Sequence, residues 1–139
     1  MSEAAHTLPG MIERPSQRWR QEVLEQQQAL AAGTLAPDDA YAERLWPLSF
    51  SDAVDAALAV YDADLARLAD PSDDEVLATA ATLVRRLNGI DDEHGRIETD
   101  EREELCEYIE AAAIAAGVDV QGLYERTDDR EALTAGRDW

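Results

Sequence analysis

Five apolar residues at alternating gaps of four and three, Val54, Leu58, Tyr61, Leu65 and Leu68, constrain this chain more than any other feature. That spacing returns each time to one side of an α-helix, so it draws a narrow apolar seam along a rod. A strand would need alternation at every second residue, and no run of that kind occurs. Alanines beside the seam, Ala53 and Ala57 among them, let a neighbouring helix approach closely. Ser49-Phe50-Ser51-Asp52 fits the S-x-x-[DE] capping pattern, with Ser51 as an alternative cap, and Asp70-Pro71 marks the end of the helix.

Three more segments carry helical spacing. Trp19, Val23, Leu24 and Leu30 predict a helix over residues 16–32, with Ser16 as N-cap and Gly33 as the stop. Ser72 and Glu75 stand in capping-box register ahead of Val76, Leu77, Ala80, Leu83, Val84 and Leu87, and Asn88-Gly89 is expected to close that helix. Leu105, Cys106, Ile109, Ala113 and Ala116 mark the inner face of a helix from about Thr99 to Gly117. Short helical turns are expected around residues 37–45 and 120–124, and Trp46, preceding Pro47, is expected to be extended. The resulting expectation is an all-α fold, a compact bundle of four main helices in one domain over residues 1–139. Residues 1–14 form an N-terminal arm and residues 126–139 a loose C-terminal tail, with Trp139 exposed or lightly docked.

Charge bears most on function. The chain carries 31 acidic and 12 basic residues, a formal net charge of −19, and every basic residue is an arginine. Such a surface repels nucleic-acid phosphates and anionic lipid heads and attracts basic partners. It also fits a GC-rich or salt-adapted genome, in which case the acidity only solvates. The 45% hydrophobic content supplies a core without staples, and Cys106 is alone, so no internal disulfide can form. The first residues lack the basic start and apolar run of a secretory signal, and no stretch of about 18 apolar residues occurs, so a cytoplasmic protein is expected.

Motif searches exclude more than they suggest. With Gly95 at the sixth position of a calcium loop, Asp92, Glu98 and Glu101 take the third, ninth and twelfth places. Ile90 then fills the first place without a ligand oxygen, and His94 fills the fifth with a nitrogen ill suited to calcium. A helix–loop–helix with a turning glycine explains the same letters. His6 and His94 are too far apart in sequence for a zinc pattern, and Cys106 reads as a small buried hydrophobe. Phosphate-binding glycine loops and nucleophile elbows are absent, so no cofactor, metal or catalytic residue is assigned. The aromatics Trp19, Tyr41, Trp46, Phe50 and Tyr61 read as core by default, with Trp46 the one placed in a connector.

Leu87-Asn88 and the run Ile97-Glu98-Thr99-Asp100-Glu101-Arg102-Glu103-Glu104-Leu105-Cys106-Glu107-Tyr108-Ile109 resemble the signature of a small bacterial family of unknown function. The resemblance spans about a quarter of the chain, implies a helical bacterial protein, and transfers no residue role.

Two functional expectations follow. The first is a non-enzymatic interaction protein that offers an acidic helical surface to a basic protein, in its most concrete form an immunity protein or inhibitor for a bacterial toxin. Asp91, Asp92, Glu93, Glu98, Asp100 and Glu101 are the expected surface. The second is a small enzyme or ligand-binding bundle with its pocket between helices. A monomer or a homodimer through the Val54–Leu68 seam is compatible with either. Direct binding of nucleic acid or membrane is not expected. Nucleic-acid mimicry is a third reading, made less clean by Arg85, Arg86, Arg96 and Arg102.

Overall fold

The computed structural model describes residues 12–139, and every regular element among them is helical. Six α-helices follow one another: α1 (Pro15–Ala32), α2 (Ala42–Leu45), α3 (Leu48–Arg67), α4 (Asp73–His94), α5 (Thr99–Ala115) and α6 (Val120–Thr127), with 3-10 turns at Pro37–Asp39 and Ala132–Thr134. The expected arm lies outside the described residues up to residue 11.

The long helix α3 packs against both α1 and α4, while α5 meets α1 and the C-terminal 3-10 turn. The seam residues Val54, Leu58, Tyr61 and Leu65 are all buried, as their spacing predicts, and Leu68 packs at the core's edge. The Tyr61 hydroxyl donates to the Ile109 carbonyl at 2.7 Å, tying α3 to the middle of α5.

Helix ends show where local signals win and where packing overrides them. Gly33 takes the left-handed conformation (φ 76°) and its N–H bonds Leu30 O, with Thr34 N bonding Ala29 O, which satisfies two carbonyls in the last turn of α1. The Ser72 hydroxyl accepts from Glu75 N and the Glu75 carboxylate accepts from Ser72 N, the reciprocal pair expected at the start of α4. Ser16 is not a cap, however. Pro15 opens α1, the Gln17 side chain accepts the Arg14 N–H, and Ser16 is buried with its hydroxyl on Asp55. Neither Ser49 nor Ser51 caps α3, which starts at Leu48 with Pro47 before it. The Ser51 N–H bonds Pro47 O, and the Ser51 side chain is buried.

Asn88-Gly89 does not end α4. The helix continues to His94, and the left-handed residue that stops it is Gly95 (φ 64°). Ile90 is the reason visible in the core: it extends the apolar face one turn further and packs against the buried cluster. The C-terminal segment also departs from a loose tail. Leu133, Thr134 and Trp139 are buried, and the Asn88 side chain grips the segment through Gly136 O and Asp138 N, both at 3.1 Å.

Candidate functional site

An open cleft of about 640 Å³ lies where α1, α2 and the first turns of α5 converge. Trp46 lies at its floor, with an aromatic stack behind it. Trp19 and Trp46 stack with ring centroids 6.1 Å apart, and Phe50 stacks behind Trp19 at 5.5 Å. A residue before proline is disfavoured in the helical region, and Trp46 (φ −132°, ψ 72°) lies outside it, with its indole stacked on Trp19 of α1.

Two carboxylates of α5 meet the two indoles. Glu104 accepts the Trp19 Nε1 proton at 2.9 Å, and Glu101 accepts that of Trp46 at the same distance. Their three-residue separation puts both on one helix face, matching the spacing of the stacked rings. Glu101 is 5% exposed, and its second oxygen accepts the Glu98 N–H at 3.0 Å, so the carboxyl group is fixed inside the fold. Arg18 completes this layer, lying over the Trp46 ring at 5.4 Å and pairing with Glu104 and Glu22.

Above the floor the walls are acidic. Glu22, Glu98, Asp100, Glu103 and Glu107 line the opening, and Arg18 is the one base among the lining residues. Tyr41 and Leu45, 44% and 45% exposed, add apolar surface at the α2 side. Tyr41 donates its hydroxyl proton to Glu22 at 2.7 Å, and that bond to a carboxylate holds the phenol pKa above its usual value. The cleft therefore combines negative potential with the exposed apolar surface of Tyr41 and Leu45, a surface able to hold a guanidinium or ammonium group and the chain that bears it.

The expected acidic set is divided by the structure. Glu98 and Asp100 stand on the cleft wall, and Asp92 and Glu93 are exposed near the end of α4. Asp91 turns to its own backbone, accepting Ile97 N at 3.0 Å, and Glu101 is a buried carboxylate rather than a surface one. Glu22, Glu103, Glu104 and Glu107 also line the cleft and stand outside the expected set. Their α5 members recur at three- and four-residue gaps, which was the signal available; Glu22 comes from another helix, and no spacing could have joined it to them.

Residues 90–94 belong to the end of α4 and residues 99–101 to the start of α5, so eight of the twelve residues with calcium-loop spacing are helical. His94 packs against Phe50, ring centroids 5.7 Å apart, rather than facing a loop. Among the described residues no group of three or more His, Cys, Asp or Glu side chains is placed to hold a metal ion. Cys106 sits half-buried at the core's edge, and burial pushes its thiol pKa up, away from a nucleophile's range.

A second polar knot lies at the start of α1. Arg14 pairs with Asp62 at 3.1 Å and Asp55 at 3.3 Å, and Tyr108 donates to Asp62 at 2.7 Å. These bonds close among themselves and stitch α1, α3 and α5 together, a holding role.

No helix among the described residues is long and apolar enough to cross a membrane. Comparison with known proteins gives no match: no family model fits the chain, and no curated protein or solved structure is significantly similar to it.

Proposed function

We propose that this chain is a non-enzymatic interaction protein whose acidic, indole-floored cleft receives a basic segment of another protein. Its most concrete form is an immunity protein or inhibitor that covers the basic face of a bacterial toxin. One observation carries the reading: five carboxylates ring an opening floored by Trp46 and flanked by the exposed Tyr41 and Leu45. Aromatic anchors inside a charged rim are the usual anatomy of a protein-binding patch. The long helices, acting together as a bundle, would give that patch a rigid frame.

An arginine-rich peptide serves as probe. Reversing Glu98, Asp100 and Glu103 to arginine should lower its association rate at least about tenfold at low salt. Reversal of Asp128, Asp129 and Glu131, three carboxylates outside the cleft, changes net charge equally and should cost much less. Equal losses from the two triple variants would show that only bulk charge is sensed, and the cleft would lose its role.

A further inference from the structure

On another face of the molecule, α3 and α4 leave between them an apolar groove of about 390 Å³ that contains Ala56, Val60, Gly89 and Ile90 and is bordered by Arg86 and Glu93. Val60 is 40% exposed there, and Gly89 is exposed in the interior of a 22-residue helix. Glycine is the poorest helix former after proline, so an interior glycine calls for a close neighbour that a side chain would obstruct. Among the described residues there is none: a Cβ built at Gly89 meets nothing within 4 Å.

The charges at the groove's border show what could come that close. Arg86 precedes the Gly89–Ile90 midpoint by as many residues as Glu93 follows it. A two-fold axis through that midpoint therefore lays α4 antiparallel to its copy and brings Arg86 of each chain to Glu93 of the other. Among the described residues Arg86 has no ion pair, and Glu93 has only a 3.7 Å approach from His94, with 78% of its side chain exposed. We propose that this groove is a self-association surface, in which two copies of the chain pair α4 to α4 across a two-fold axis, with Gly89 at the crossing point.

The surface is independent of the acidic cleft, and it works against a large opposing force. Each copy carries a net charge of −19, so association is weakened at low ionic strength. At about 1 M salt the screening length falls to about 3 Å, shorter than the distance over which most of those charges repel but leaving the paired ions in contact. Dimerisation that strengthens with salt is the expected signature, opposite to that of the cleft's basic partner.

Sedimentation equilibrium on the full chain tests this. The wild-type protein should shift from monomer toward dimer with rising concentration at about 1 M NaCl, and less so at about 0.01 M. Gly89→Leu has room in the monomer and improves helix propensity, so it should keep or raise the melting temperature while weakening the dimer at least about tenfold. Arg86→Glu and Glu93→Arg should each weaken self-association, and the double exchange should restore it, because the symmetric pair is rebuilt with its signs reversed. A chain that stays monomeric at high concentration and high salt overturns the proposal and leaves the groove to a partner of another kind. So does a dimer that tolerates Gly89→Leu, or one that the double exchange fails to recover.

Discussion

A carboxylate in the first turn of a helix ordinarily faces water, where the positive end of the dipole favours it. Glu101 occupies that position yet points inward, held by the Trp46 indole and the Glu98 N–H. Glu101→Ala should leave the indole N–H buried without its acceptor and cost about 1–3 kcal/mol, read as a lower urea midpoint with an unchanged slope. An unaltered midpoint would mean the indole is equally well served by water. Cys106 offers a second test at this scale. Burial raises its thiol pKa, so less thiolate is present in the folded chain at about pH 8. Its reaction with a disulfide reagent should be slower in the native protein than in the urea-unfolded one, and equal rates would contradict the half-buried placement. The core side of Cys106 could be read from helical spacing, but the inward turn of Glu101 could not, because it follows from which neighbour that helix face meets.

Asn88 separates propensity from packing at the level of elements. Asn-Gly is a strong turn signal in isolation, yet α4 runs straight through it. The asparagine instead donates to Gly136 O and accepts from Asp138 N, so one side chain imitates a backbone partner for the C-terminal segment. Asn88→Ala should remove both bonds at a cost of about 1–2 kcal/mol. Hydrogen exchange should show residues 136–139 losing protection before the rest of the chain; uniform loss instead would mean the segment is held by Leu133 and Trp139 alone. The sequence made α1, α3, α4 and α5 legible because their apolar residues recur at helical spacing over many turns. It made Gly33 and the Ser72–Glu75 cap legible because those signals are local. The buried tail was not, since Leu133 and Trp139 are isolated apolar residues in a polar stretch and no period joins them. Half of the cleft was legible in the acids of α5; its other wall depends on α1 and α2 folding back toward them.

Across the whole molecule, proton linkage has a definite sign at high pH. All four tyrosines have raised pKa values: Tyr61, Tyr108 and Tyr124 chiefly by burial, the last two also by donating to Asp62 and Glu110, and Tyr41 through its bond to Glu22. The folded chain keeps these protons above about pH 10, where an unfolded chain gives them up. Their contribution to stability is complete below that pH and is lost as pH rises beyond it. Alkaline melting curves should fall from about pH 10 upward, and tyrosinate absorbance should appear together with unfolding. A titration complete near pH 10 with the fold intact would refute the raised values. Finally, all three indoles of this chain are shielded from water, yet only Trp46 belongs to the open cleft. The native protein should therefore fluoresce at short wavelength, and anything that settles in the cleft comes near one emitter and the Arg18 that covers it. With Trp139→Phe lowering the background, the molecule becomes its own optical gauge of occupancy, able to register a visitor whose identity is not known beforehand.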